Sequence, residues 1–198
     1  MIYRFLQRLV RIFVSIFYSV KVEGLENFPA SGPVVVCANH TFFKDPIYIS
    51  CFSPRKIYWM AKIELFRIPL FNLLIRSLGA FPVRRDARDR RSVKNVYKVL
   101  GRGAPLGIFP EGRRSLGVED VPPFKRGFVS FAVNSGASIL PVAIRYEGGP
   151  FGRGRLFSRA VMSFGQAIPL DCNHRYARDE LDGISASVAS WIHKKIIC

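Results

Sequence analysis

Short apolar runs alternate with longer amphipathic stretches along this chain. The short runs are Val34–Ala38, Lys56–Met60, Phe81–Val83, Leu106–Phe109, Ile139–Arg145 and Arg159–Phe164. They have strand length and favour β-branched and aromatic residues, so they predict strands. Helices are predicted over Ile2–Val20, Pro46–Cys51, Glu64–Leu78, Arg88–Leu100, Arg126–Ser135 and Ala177–Ile196. In the last of these, Leu181, Ile184, Val188, Trp191 and Ile192 form one apolar stripe at helical spacing. The alternation predicts a single α/β domain with a largely parallel or mixed sheet covered by helices. Ligands of open α/β sheets gather beyond the carboxyl ends of the strands. His40, Arg85 and Glu111 each follow a predicted strand closely, and the loop Pro110–Pro123 is long enough to be functional.

The first helix has its own pattern. Its polar positions Arg4, Arg8, Arg11, Ser15 and Ser19 step by three or four and share one face. Ile2, Phe5, Leu6, Leu9, Ile12, Phe13, Ile16, Phe17 and Val20 cover the rest. An arginine stripe beside a broad apolar surface suits a helix lying in a membrane interface. Residues 1–22 are therefore expected to form an amphipathic membrane-associating helix, with residues 23–198 as the main domain. Packing of this helix on its own domain is the second reading. A signal peptide would need an uninterrupted apolar core, and the arginines break it. Gly127–Ile144 carries no charge, but serines, glycines, Asn134 and Pro141 make it a buried helix leading into a strand, not a span.

Charge adds an anionic partner to this picture. The 198 residues include 30 Lys and Arg against 14 Asp and Glu, a formal net charge of +16. Such a surplus suits an anionic membrane surface or a nucleic acid. No nucleic-acid module is present, and the first helix favours the membrane. With 49% hydrophobic residues and 17 Phe, whole-chain disorder is excluded. Cys37, Cys51, Cys172 and Cys198 form no framework and read as reduced thiols of a membrane-associated protein on the cytoplasmic face. His174 and His193 lack metal-ligand spacing, and no glycine-rich nucleotide loop occurs, so no metal or cofactor is expected.

The candidate chemistry begins at Asn39-His40-Thr41-Phe42-Phe43-Lys44-Asp45, directly after the first predicted strand. An imidazole with a carboxylate five positions on can remove a proton from a hydroxyl, the carboxylate fixing the ring tautomer. Asp45-Pro46 alone would also suit an ordinary helix start. Three further blocks follow in order: Gly79-Ala80-Phe81-Pro82-Val83-Arg84-Arg85, Phe109-Pro110-Glu111-Gly112-Arg113-Arg114-Ser115, and Ile139-Leu140-Pro141-Val142. Ala61-Lys62-Ile63-Glu64-Leu65 and Phe124-Lys125-Arg126-Gly127 lie between them.

This ordered set, from about Val34 to Ile144, resembles the glycerolipid acyltransferases of the 1-acyl-glycerol-3-phosphate acyltransferase type. The resemblance implies an enzyme that moves a fatty acyl group from acyl-CoA or acyl carrier protein to the free hydroxyl of 1-acyl-glycerol-3-phosphate, giving phosphatidic acid. It implies His40 as the base and Asp45 as its support. Lys62, Arg85, Glu111, Gly112 and Arg114 would bind the acceptor and its phosphate, and Pro141 would lie on the acyl-donor side. Arginine's planar fork matches phosphate oxygens. Two positions depart from the family pattern: Arg84 replaces an acidic residue and Arg113 replaces a threonine. They keep open the same chemistry on another lysophospholipid or a lyso-aminolipid. The rivals of other classes are a nucleic-acid-binding protein and a non-catalytic lipid-binding protein.

Overall fold

A parallel strand buried on both faces must be apolar without alternation. All five residues of β2 (Val34–Ala38) are buried, and this strand lies at the middle of the sheet. The computed structural model describes residues 2–17, 19–84, 89–115, 122–147 and 159–197. The other strands are β1 (Val20–Glu23), β3 (Tyr58–Lys62), β4 (Phe81–Val83), β5 (Pro105–Ile108), β6 (Ser138–Glu147) and β7 (Arg159–Phe164). They form a seven-stranded sheet in the order β1-β7-β6-β2-β5-β3-β4. Every neighbouring pair is parallel except β6 with β7. The carboxyl ends of β2 to β6 therefore share one edge, as the strand–helix alternation predicts.

The helices are α1 (Ile2–Phe17), α2 (Asp45–Phe52), α3 (Pro69–Ser77), α4 (Arg90–Leu100), α5 (Gly127–Ser135) and α6 (Arg178–Ile197). On one face, Val14 of α1 and Tyr48, Ile49 and Phe52 of α2 pack against Val34, Val36, Leu140 and Val142. On the other, residues of α4, α5 and α6 cover Val35, Cys37, Leu106 and Ile139. Among the described residues, no helix is long and apolar enough to cross a membrane.

Three expectations are corrected. The first helix stops at Phe17, and Val20–Glu23 is an edge strand paired with β7, so a boundary after residue 22 falls inside β1. Four residues alternating Val-Lys-Val-Glu are too short to stand out beside a strongly apolar helix. The stretch 64–78 is not one helix. A 3-10 turn over Ile63–Arg67 ends at Ile68, which is extended, because Pro69 disfavours a helical residue before it. The fifth predicted strand is longer than its apolar core: β6 runs ten residues because β2 and β7 both pair with it.

α1 follows the second reading offered by its sequence and packs on its own domain. Gln7 donates from Nε2 to the carbonyls of Ser50 (2.7 Å) and Ser53 (2.9 Å) at the end of α2, and Arg11 lies 5.3 Å over the Phe52 ring. This seats the helix on its own domain. Phe5, Leu9, Ile12 and Ile16 nevertheless stay exposed on the outward side.

Gly107 of β5 is required by a close approach. A Cβ there would come within 2.4 Å of the Trp59 indole. That indole donates to Ser50 Oγ at 2.8 Å and has no slack. Gly107→Ala is expected to lower unfolding free energy by about 1–3 kcal/mol, the usual cost of overpacking. Urea denaturation with the slope unchanged checks this; a neutral substitution would show that Trp59 moves freely.

Candidate active site

The site is built where β2 ends. Asn39, buried, continues the sheet with its side chain: Nδ2 donates to the Ile144 carbonyl (2.9 Å) and Oδ1 accepts from the Ile144 N–H (2.8 Å). The backbone is thus released from the ladder one residue before His40. The His40 N–H donates to Glu111 Oε1 (3.1 Å), and its carbonyl accepts from Ser115 N–H (2.8 Å) and Ser115 Oγ (3.2 Å). The segment after β5 therefore holds His40 at both backbone ends. Its ring stacks on Phe109 (4.1 Å between centroids), which stacks on Trp59 (4.8 Å).

Asp45 is fully buried, and its carboxylate receives four donors. Oδ2 accepts from the N–H groups of Thr41 and Phe42, both at 2.7 Å, and lies 3.0 Å from His40 Nδ1. Oδ1 accepts from the Tyr146 hydroxyl at 2.6 Å. An ionised carboxylate only accepts, so Nδ1 carries the hydrogen and Nε2 keeps its lone pair. The His40 side chain is 14% exposed, enough for a substrate atom to reach the ring edge. An ordinary helix start does not describe this. The residue capping α2 is Lys44, whose side chain makes no capping bond, and the Asp45 carboxylate turns back onto the histidine loop.

Two residues absent from the sequence-based site emerge here. Tyr146 lies 101 positions from Asp45 and is brought to it by β6. Burial, then the neighbouring Asp45 charge, pushes its phenol far above the usual range. Its only sequence signal is period-two alternation, which puts it on the same face as Val142 and Ile144. Lys44 lies about 5 Å over three rings, those of Phe42 (5.2 Å), Tyr48 (5.3 Å) and Tyr146 (4.9 Å). Burial lowers the pKa of its ammonium.

The remaining sequence candidates divide. Glu111 is buried and grips the His40 backbone. Gly112 adopts φ +71°, and a Cβ there would meet Lys125 Nζ at 3.0 Å, so the turn and this lysine are in close contact. Arg114 is exposed one turn further on. Lys62 is exposed at the carboxyl end of β3, 3.5 Å from Glu64. Arg85 lies outside the described residues. Pro141 is buried inside β6, level with Cys37 and three residues before Ile144. Its carbonyl accepts from Gly165, so the missing N–H faces the side where the β7 ladder has already ended. The structure thus joins His40, Asp45, Glu111 and Gly112, with Lys62 and Arg114 as exposed cations at the same edge. Pro141 lies deeper in the sheet.

An imidazole oriented by a buried carboxylate, open at the carboxyl edge of an α/β sheet, is suited to activating a hydroxyl for acyl transfer. The class defined by fold and site is an α/β acyltransferase. The family model described as Acyltransferase matches residues 19–145, and the chain belongs to that family. It is 32% identical over 190 residues to the 1-acyl-sn-glycerol-3-phosphate acyltransferase of Bacillus subtilis, an alignment covering 94% of this chain and 92% of that protein. A second relative of the same description, from Borreliella burgdorferi, is 31% identical over 88% of this chain and 70% of its own length. The crystal structure of the 1-acyl-sn-glycerophosphate (LPA) acyltransferase PlsC from Thermotoga maritima superposes with a TM-score of 0.76 at 26% identity. That match covers 98% of this chain and 80% of the other.

Tyr146→Phe tests the carboxylate's fourth donor. Loss of a hydrogen bond to a charged, buried group is expected to lower stability by about 1.5–3 kcal/mol at neutral pH. The raised phenol adds a sign. The folded form keeps its proton after the unfolded chain, ordinary pKa about 10, has lost it. The stabilisation is present below that pH and falls as pH rises above it. The alkaline loss of stability should therefore be shallower in Tyr146→Phe than in wild type. Equal slopes in denaturant titrations from pH 8 to 11 would contradict the hydrogen bond.

Proposed function

We propose that this enzyme transfers a fatty acyl group from acyl-CoA or acyl carrier protein to the free hydroxyl of 1-acyl-glycerol-3-phosphate, giving phosphatidic acid. The observation that carries the reading is His40 Nδ1 held 3.0 Å from a buried Asp45, in a chain whose relatives bear that activity as their name. In the reaction, His40 Nε2 takes the hydroxyl proton as the oxygen attacks the thioester carbonyl. The tetrahedral intermediate then expels the thiolate, breaking the C–S bond, and the imidazolium returns its proton to that sulfur. Asp45 stabilises the imidazolium while remaining ionised. No side-chain nucleophile is needed, because the substrate hydroxyl is the nucleophile.

Lys62, Arg85 and Arg114 would meet the phosphate, with Gly112 allowing close approach of the turn. Glu111 contributes by holding His40. Pro141 is assigned to the acyl-donor side. α1 would rest on an anionic membrane surface through its exposed stripe and the adjacent Arg4, Arg8 and Arg11. Arg84 and Arg113, two extra cations beside the acceptor blocks, favour a second reading in which the acceptor is a different lysolipid.

The test is transfer of a labelled acyl group from each thioester to lysophosphatidic acid and to a monoacylglycerol lacking the phosphate. His40→Ala is expected to lower kcat/KM by about 10²–10⁴-fold, with the melting temperature retained. The acceptor lacking phosphate should be used far less well. Near-wild-type turnover in folded His40→Ala would sink the mechanism, and equal use of both acceptors would sink the phosphate assignment.

A further inference from the structure

A helix in a globular protein normally buries one side. None of the residues from Ile63 to Ser77, the 3-10 turn and α3, is buried. Six of them are large, apolar and exposed: Leu65, Ile68, Leu70, Phe71, Leu73 and Leu74, with Leu70 at 85% and Leu73 at 71%. The strongest packing of α3 is on the turn that precedes it, not on the sheet. A nine-residue helix with this composition is marginal in water and calls for a cover.

The location of this segment relative to α1 and the site indicates what covers it. It begins directly after Lys62, at the carboxyl edge where His40 sits. α1 reaches the same edge at its C-terminus, because β1 runs parallel to β7 and β7 antiparallel to β6. At the far end, Lys56 ties the two helices together. Its Nζ lies 4.8 Å over the Tyr3 ring and donates to the Ser77 carbonyl at 3.1 Å. The crossovers β2→β3 and β3→β4 step the same way along the sheet, so right-handed connections place α3 in the layer of α2, which α1 shares. At the same edge, Phe43 of the histidine loop, which leads into α2, is 73% exposed.

The charge around these apolar stripes is mainly positive. Arg4, Arg8 and Arg11 flank the α1 stripe. Lys62, Arg67 and Arg76, all exposed, flank that of α3, against Glu64 as the one acid from residue 62 to 77. A surface of leucines edged by cations complements an anionic lipid interface and repels a second copy of itself. We propose that α3 is a second membrane-docking element, inserting Leu70, Leu73 and Leu74 at the headgroup–acyl boundary beside α1. The two helices then hold the His40 edge against the bilayer, where an amphiphilic acceptor resides. This rests on the reading of the chain as a lipid acyltransferase.

The experiment is flotation of the full chain with vesicles of equal parts phosphatidylglycerol and phosphatidylcholine, and with pure phosphatidylcholine. Wild type, Leu70→Gln/Leu73→Gln in α3, and Leu9→Gln/Ile12→Gln in α1 are compared. The exposure of all four positions leaves the fold intact, checked by circular dichroism and melting. Each double variant is expected to bind anionic vesicles about tenfold or more weakly than wild type, since one inserted leucine alone is worth about tenfold. A probe attached at Leu73→Cys should shift to the blue on vesicle addition. Wild-type-like binding by the α3 variant, or an unshifted probe, would overturn the proposal. So would light scattering that finds a wild-type dimer dissociated by the α3 substitutions, because the face would then be a protomer interface. Transfer to a soluble short-chain lysophosphatidic acid is measured alongside. If it fails in wild type while vesicles are bound, the functional reading is at fault and the docking assignment is upheld.

Discussion

Taking the Asp45 carboxylate wholly out of water is the constraint from which much of this structure follows. An isolated buried carboxylate is so costly that it would take up a proton instead of staying charged. Here four donors surround it, and each dictates a piece of architecture. The two backbone N–H groups demand a tight turn between His40 and Asp45. The imidazole donor fixes the ring. The Tyr146 hydroxyl requires β6 to continue four residues past its last pair with β2, at Val142. The antiparallel partner β7 supports that extension through its pairing as far as Glu147. A single buried carboxylate thus links the loop after β2 to the end of the neighbouring β6, 101 positions further along the chain.

The second support of the site acts on the backbone. Asn39 ends the strand with side-chain bonds in place of main-chain ones, and Glu111 and Ser115 grip His40 from the loop after β5. With Phe109 and Trp59 stacked beneath, the imidazole has a fixed plane and a fixed height. The chemistry needs orientation to within a fraction of an ångström, and it is obtained here from residues that follow β2 and β5 and from Trp59 on β3.

The sequence made the centre of the fold legible because its physics is local. Val34–Ala38 has no polar residue and reads as a doubly covered strand, and β4 and β7 also fall where periodicity puts them. The histidine loop was equally legible, since both partners lie five positions apart. β1 was not, because an edge strand of four residues owes its existence to pairing with residues 140 positions later. The break before α3 could be read from Pro69, yet the apolar character of the stretch outweighed that local signal. Tyr146 was hidden for a different reason. A tyrosine ending a strand is ordinarily a core residue, and only the three-dimensional meeting with Asp45 gives its hydroxyl a task. For Glu111, the pattern pointed to the acceptor, whereas the structure shows its carboxylate turned toward the main-chain N–H of His40.

The stack of Phe109 between His40 and Trp59 has an optical consequence. The chain contains two tryptophans, and the other, Trp191, sits on α6 against Gly165. Trp59 is therefore the one indole coupled, through a single intervening ring, to the imidazole. Protonated imidazole quenches nearby indole emission, so the intrinsic fluorescence of a Trp191→Phe protein would carry a built-in signal of events at the His40 ring. Ligand arrival and proton uptake at His40 would be visible there without any label.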